Sequence, residues 1–297
     1  MTPGNTLIIK TALKVAQEIG AHHVVIHCDP LDDLKFKGRI PSKLNLILVS
    51  RKKRFDGTEE KRGSLLSRAR TTIALPRVQM TRIALIKVTM TLALSKEIVS
   101  PGDKVVFAVG QTEGGELDLI HIVDTARESE IITGRGLAKV AEVTRPEVFQ
   151  AVLNLTAELA DKGREGKPIG TIFVLGDHER VMQLSKQMIM NPFKGYDEDE
   201  RDVLGGGLKE TIREFSAMDG AFIISDDGTV LAAGRFLGAA VDESILPRGL
   251  GSRHIAAAGI TSLTKAIAFV ISESSGDVRI FKDGRIVMHI EKSTTKK

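Results

Sequence analysis

The segment Asp219–Ala233 reads DGAFIISDDGTVLAA and predicts how the second half of the chain folds. Two short apolar runs, Phe222–Ser225 and Val230–Ala233, flank the turn-forming residues Asp226–Thr229. Apolar runs on either side of an Asp-Gly turn are typical of a β-hairpin. We therefore expect a hairpin here, with Asp219 and Gly220 directly before its first strand.

The same half contains a second hairpin signal, in which Lys282–Arg285 separates two apolar runs, Asp277–Phe281 and Ile286–Ile290. Apolar residues at helical spacing, and one short apolar run, predict the remaining elements. These are helices over Pro146–Lys162, Glu179–Met190 and Leu208–Ala217, and a strand over Gly170–Leu175.

The first half alternates β-branched or aliphatic runs with helical patterns, which predicts a largely parallel sheet covered by helices. The predicted helices are Thr6–Ile19 and Gln79–Ile98, and the predicted strands are His23–Cys28, Leu44–Val49, Thr71–Leu75, Lys104–Val109 and Leu117–Val123. A polar stretch, Thr125–Gly136, is the candidate linker. We expect an α/β protein of two domains, residues 1–127 and 128–297.

Composition limits the functional classes. The 297 residues carry a formal charge of +4, a 42% hydrophobic share and one cysteine, which indicates a globular protein of a reducing compartment. Aromatic residues make up only 4%, so we do not expect nucleic acid stacked on aromatic side chains as a partner. Charges at Arg82, Lys87, Lys96 and Glu97 interrupt the most apolar helical stretch, so no membrane span is predicted. We expect a soluble, cytoplasmic protein.

A glycine-rich turn, Gly249–His254, opens a helix of small residues. Backbone N–H groups at a helix start favour anions and an Arg is a bidentate phosphate donor, so a phosphate site is one interpretation. Ser252 is the candidate N-cap. The stretch is neither a dinucleotide fingerprint, because His254 replaces the last glycine, nor a P-loop, because no Gly-Lys-Ser/Thr follows. Taken alone, Asp219-Gly220 is more typical of a turn before a strand than of a ligand site.

Three ordered motifs resemble those of the diadenylate cyclase domain: Asp219-Gly220-Ala221, then Gly251-Ser252-Arg253-His254, then Ile271-Ser272-Glu273. The resemblance covers Val148 to Ile290 and is of the archaeal type. It implies a mixed sheet flanked by helices. The first half resembles, in fold only, the C-terminal α/β domain of pyruvate kinase, through Thr11-Ala12 and the run from Gly102 to Gly110. Such a domain would be regulatory or oligomer-forming.

The resemblance implies a nucleotidyltransferase that joins two ATP molecules into cyclic di-AMP and releases two pyrophosphates, using Mn²⁺ or Mg²⁺. The catalytic residues it implies are Asp219, Arg253 and His254, of which Asp219 and His254 would bind the metal. The ATP-binding residues it implies are Gly220, Ala221, Phe236, Leu237, Gly251, Ser252, Arg253, Ser272 and Glu273.

One departure from the family pattern leaves alternatives open. The family's second arginine after the histidine is Ile255 here, and Arg248 is a candidate substitute. A first alternative is therefore a nucleotide-binding sensor with weak or no turnover. A second is an RNA-associated protein that uses the basic segment 51–70. His22, His23 and His27 do not predict a joint metal site, because His22 points to the opposite face of a strand.

The resemblance also implies that two sites must face each other, so that each 3′-hydroxyl reaches the opposite α-phosphate. The sequence has one copy of each motif. We therefore expect a homo-oligomer that is at least a dimer.

Overall fold

The computed structural model describes residues 1–52, 63–111, 115–127, 143–239, 247 and 249–291. The chain forms two compact units, Met1–Gly134 and Arg135–Lys297. The predicted boundary after residue 127 stays a prediction, because residues 128–142 lie outside the described residues.

The N-terminal unit contains a five-stranded sheet of order β3-β2-β1-β4-β5. Strands β1 to β4 pair in parallel and β5 is antiparallel to β4, so the sheet is mostly parallel, as predicted. The elements are α1 (Pro3–Glu18), β1 (His23–His27), β2 (Asn45–Ser50), β3 (Thr71–Ala74), α2 (Arg82–Ser95), β4 (Lys104–Gly110) and β5 (Leu117–Asp124).

Helix α1 begins where the sequence provides an N-cap. The Thr2 hydroxyl accepts a hydrogen bond from the backbone N–H of Asn5 at 3.2 Å, and Pro3 is tolerated in the first turn because its missing N–H would be unpaired there. Its apolar face, which includes Ile9 and Leu13, packs with alternate residues of the central strands such as Val24 and Val106. Burial of that face holds the helix against the sheet.

The C-terminal unit contains a seven-stranded sheet of order β12-β11-β10-β6-β8-β9-β7. Only β6 and β8 pair in parallel, and the five other pairs are antiparallel, so the sheet is mixed. The elements are α3 (Pro146–Lys162), β6 (Ile172–Leu175), α4 (His178–Gln183), β7 (Ser185–Gln187), α5 (Lys209–Phe215), β8 (Ala221–Ile224), β9 (Val230–Leu237), α6 (Ser252–Leu263), β10 (Ile267–Ile271), β11 (Val278–Lys282) and β12 (Arg285–Ile290). Both predicted hairpins, β8–β9 and β11–β12, are present.

The two faces of this sheet have different cores. On one face, small residues of α6 such as Ala257 and Ala258 pack with Val174, Ile223 and other strand residues. The rest of the core is rich in phenylalanine: the ring of Phe149 on α3 lies 5.4 Å from that of Phe269 on β10. Only residues 264–266 separate α6 from β10, so the helix packs back along the strand and its beginning lies near the end of β10.

The predicted helix over Glu179–Met190 is wrong in its second half. Helix α4 ends at Gln183, and Ser185–Gln187 forms β7, an edge strand antiparallel to β9. The Ser185 hydroxyl donates to the Val181 carbonyl at 2.7 Å, and the buried Arg235 guanidinium donates to the Met182 and Ser185 carbonyls at 2.9 and 2.7 Å. These bonds satisfy the carbonyls that a longer helix would have used, so pairing with β9 replaces the helix.

Over the part of the chain that the structure describes, no helix is long and apolar enough to cross a membrane.

Candidate active site

Gly220 brings Asp219 close to strand β9. The φ angle of Gly220 is +108°, and a Cβ atom there would lie 2.5 Å from the Gly234 carbonyl carbon and 2.6 Å from the Arg235 nitrogen. Only glycine fits both the angle and the contact. In the structure, the missing side chain of Gly220 makes room for β9, and Asp219 is left exposed at the mouth of a cavity that Gly220 also lines.

That cavity, the smaller of two in this region, has a volume of about 260 Å³. Five of the residues implied by the resemblance line it: Asp219, Gly220, Ala221, Phe236 and Leu237. Its other walls include the apolar side chains of Ile172, Met188 and Ala256. A mostly apolar cavity with one carboxylate at its mouth suits a flat apolar group that carries polar substituents.

The larger cavity, of about 610 Å³, lies at the beginning of α6. Four other residues implied by the resemblance line it: Gly251, His254, Ser272 and Glu273. The predicted N-cap is wrong by one residue, because Gly251 occupies that position and no side chain caps the helix. Ser252 is the first helical residue, so its hydroxyl stays available to the cavity, and the uncapped helix start favours an anion.

Ser252 and Arg253 line both cavities and therefore join them. The Arg253 guanidinium lies between two carboxylates: Nη2 is 3.3 Å from Oδ1 of Asp219, and Nη1 is 3.3 Å from Oε2 of Glu273. Asp219 is 84% exposed and Glu273 64% exposed, so both can move away from the guanidinium at little cost. All eleven residues implied by the resemblance thus line one continuous region.

His254 is buried and makes a contact that the sequence reasoning missed. Arg279 on β11 donates from Nη1 to His254 Nε2 at 3.1 Å. Burial, and after it the positive charge of Arg279, lowers the pKa of His254 to about 4, so the ring is neutral at pH 7 and carries its proton on Nδ1. The sequence signal for Arg279 was a charged residue two positions after Asp277, between the apolar residues Val278 and Ile280.

The two predicted metal ligands, Asp219 and His254, are not equally suited to bind a divalent cation. His254 does not fit, because its Nε2 lone pair accepts from a guanidinium and its Nδ1 is protonated and buried. Asp219 fits, since an exposed carboxylate is a hard oxygen donor of the kind that Mg²⁺ and Mn²⁺ prefer. Among the described residues, no three His, Cys, Asp or Glu side chains gather as a metal site.

Two sequence hypotheses concern residues outside the described part of the chain. Arg248, the candidate substitute for the missing arginine, lies outside it, and so do residues 53–62 of the basic segment. Ile255 is half-buried at the beginning of α6, directly after His254. Arg279 therefore provides a cation in the larger cavity that does not depend on position 255.

Comparisons with known proteins identify relatives of this chain. A family model described as "DAC: DisA bacterial checkpoint controller nucleotide-binding" matches residues 158–286. A protein of Methanocaldococcus jannaschii named diadenylate cyclase is 42% identical over 200 residues, which cover 67% of this chain and 63% of that protein. One of Haloferax volcanii with the same name is 36% identical over 200 residues, covering 67% of this chain and 72% of that protein. The match thus spans less than two thirds of the first relative.

Two solved structures are more distant. DacA from Staphylococcus aureus is 23% identical, with a TM-score of 0.34 over 50% of this chain and 87% of DacA. A pyruvate kinase from Cryptosporidium parvum is 16% identical, with a TM-score of 0.31 over 42% of this chain and 23% of that enzyme. Scores this low carry no argument, so the pyruvate-kinase-like N-terminal domain stays a prediction. The family assignment does not depend on these two structures. Two archaeal relatives are 36–42% identical to this chain, and the motifs gather around one pair of cavities, so the chain belongs to the diadenylate cyclase family.

Proposed function

We propose that this chain is a diadenylate cyclase that condenses two ATP molecules into cyclic di-AMP and releases two pyrophosphates. The observation that carries the proposal is the position of Arg253, whose side chain lines both cavities and is paired with a carboxylate on each side. An anion that replaces those carboxylates at Arg253 would extend from one cavity into the other.

The two cavities differ in the way that the two ends of ATP differ. In the smaller one, the exposed Phe236 and the buried Leu237 would provide apolar contacts for adenine, and Asp219, at the mouth, would lie near the ribose. In the larger one, Ser252, Ser272 and the uncapped start of α6 provide hydrogen-bond partners for the phosphates. Arg253, between them, would contact the α-phosphate.

The reaction needs little covalent chemistry from the protein. The 3′-oxygen of one ATP forms a bond to the α-phosphorus of the other, and the bond from that phosphorus to the α,β-bridging oxygen breaks. The hydroxyl proton passes to water and pyrophosphate leaves. Positioning and charge stabilisation account for most of the catalysis in such transfers. Arg253 supplies a bidentate cation for the charge on the reacting phosphate.

A divalent cation is the expected cofactor. When bound, it supplies charge stabilisation at the phosphates and lowers the pKa of an attacking hydroxyl. Asp219 is the residue of this chain that would hold it, with phosphate oxygens and water completing the coordination. His254 is left out of this assignment, because its Nε2 accepts from Arg279.

The proposed reaction requires two copies of the chain. Each chain contributes one pair of cavities built from one set of motifs, whereas the product contains two adenosine units. Two copies related by a two-fold axis would bring equivalent sites face to face. We infer a homodimer, or a larger assembly of such pairs, as the active species.

Asp219→Asn tests the proposal against the alternative of a nucleotide sensor. We expect wild-type protein with ATP and Mn²⁺ or Mg²⁺ to form cyclic di-AMP, and Asp219→Asn to lose product by at least 100-fold while still binding ATP. Asp226→Asn is the matched control, because Asp226 is an exposed carboxylate at the opposite end of β8 and should keep full activity. ATP binding by the wild type without any product would contradict the cyclase and favour the sensor.

A further inference from the structure

We propose that Arg279 is the second phosphate-binding cation of this site, and that His254 is the positioning residue that directs it into the larger cavity. The inference rests on the proposed function, because it assigns the end of the ATP molecule that the larger cavity receives. The proposal assigns to Arg279 the contact with the β- and γ-phosphates of ATP, which leave together as pyrophosphate.

Arg279 is fixed from two sides. Its Nη1 donates to His254 Nε2 at 3.1 Å, and its Nη2 lies 3.6 Å from Oδ2 of Asp277. Its side chain is only 17% exposed, yet it lines the same cavity as Ser252 and Arg253. A guanidinium has five N–H donors in a rigid fork, so these two contacts leave donors for an anion in the cavity.

The charges around the two arginines differ. Arg253 has two carboxylates at 3.3 Å, Asp219 and Glu273. In the described part of the chain, Arg279 is paired with Asp277, whose Oδ2 lies 3.6 Å from Nη2 of Arg279 and 3.1 Å from Nε2 of His289. Because Arg279 keeps further N–H donors, a polyphosphate in the larger cavity would find a second cation there beside Arg253.

His254 can direct Arg279 only while it is neutral. Only 6% of the residue is exposed, and a neutral ring offers the Nε2 lone pair as an acceptor for the guanidinium. A protonated ring would lose that lone pair and repel the arginine. A glutamine at this position keeps an acceptor, whereas a leucine of similar size does not.

Titration with inorganic pyrophosphate, followed by calorimetry, tests the assignment without turnover. We expect Arg279→Gln to weaken pyrophosphate binding and to raise KM for ATP, each by about 10- to 100-fold, with AMP binding unchanged. Arg279→Lys should be intermediate, because it keeps the charge and loses the fork. Arg285→Gln is the matched control: Arg285 is exposed at the other end of the β11–β12 hairpin and lines neither cavity.

His254 is tested by the same titration. His254→Gln should keep pyrophosphate affinity within about threefold of wild type, whereas His254→Leu should match Arg279→Gln. A merely structural role would lower the melting temperature of both His254 variants without separating their pyrophosphate affinities.

The inference and the proposed function fail in different ways. If wild-type protein forms cyclic di-AMP but Arg279→Gln and Arg279→Lys keep the wild-type pyrophosphate affinity and KM, the assignment of Arg279 is overturned and the cyclase stands. If wild-type protein binds pyrophosphate through Arg279 yet forms no cyclic di-AMP, the cyclase is overturned and the phosphate site stands. Wild-type protein that binds no pyrophosphate overturns the assignment.

Discussion

At the residue scale, the Arg253 guanidinium lies between the smaller and the larger cavity and lines both. Each of its terminal nitrogens lies 3.3 Å from a carboxylate, one from Asp219 and the other from Glu273. Because both carboxylates are exposed, their pairing with Arg253 contributes little stability. It keeps the guanidinium extended between the cavities, where in the proposed function a phosphate would replace one carboxylate and Asp219 would become available to a cation.

The buried His254 predicts how stability depends on pH. Burial lowers the pKa of folded His254 to about 4 from the ordinary 6.5, so the unfolded chain binds more protons between these two values. Stability is therefore complete above about pH 6.5 and is lost as the pH falls towards 4. We expect this residue alone to reduce the free energy of unfolding by roughly 2 kcal/mol between pH 7 and pH 4.5.

Denaturant unfolding of wild-type protein and of His254→Gln, at several pH values, measures this contribution. Glutamine does not titrate. Between pH 7 and pH 4.5 the free energy of unfolding of His254→Gln should therefore fall by roughly 2 kcal/mol less than that of the wild type. Equal pH dependence of the two proteins would show that His254 is not held neutral by burial.

At the element scale, short apolar runs and turn signals predicted most of the fold. Both hairpins, the mostly parallel order of the N-terminal sheet, and helices α1 and α3 follow from patterns within about 15 residues. Strand β7 does not, because three residues become a strand only by pairing with β9, some 50 residues later. The N-cap at Gly251 was missed because Ser is the commoner capping residue.

The parts of the candidate site that are contiguous in sequence could be predicted, as with the fold, and the part that depends on a distant contact could not. The motifs around Asp219, Arg253 and Glu273 are contiguous in sequence, and the resemblance identified them. Arg279 was not predicted, since its proposed role depends on β11 lying beside α6, a contact between residues 25 positions apart. A local pattern contains no information on such a contact.

The packing of β8 against β9 predicts the effect of a methyl group at Gly220. Gly220→Ala would place a Cβ atom 2.5 Å from the Gly234 carbonyl carbon, at a φ angle that L-residues rarely adopt. We expect a loss of roughly 2–4 kcal/mol in the free energy of unfolding. Gly207→Ala, where no atom lies within 4 Å of the added carbon, should change stability by less than about 1 kcal/mol. Similar melting temperatures for the two variants would refute this account of Gly220.

At the scale of the whole molecule, the proposed reaction joins two adenosines from two sites on two chains, and so predicts that activity depends on assembly. Specific activity should fall when the protein is diluted through the concentration range in which the proposed dimer dissociates, because a lone site would hold one ATP without a partner. Activity assays paired with sedimentation at the same concentrations measure this. Constant specific activity through dissociation would contradict a two-site reaction.

The identity and stoichiometry of the products decide whether this chain is a diadenylate cyclase. Purified protein is incubated with ATP and Mn²⁺, and in parallel with Mg²⁺, and the products are separated by chromatography and weighed by mass spectrometry. A diadenylate cyclase yields cyclic di-AMP with two pyrophosphates for each molecule of it. AMP with one pyrophosphate, or unchanged ATP with both metals, would contradict the account.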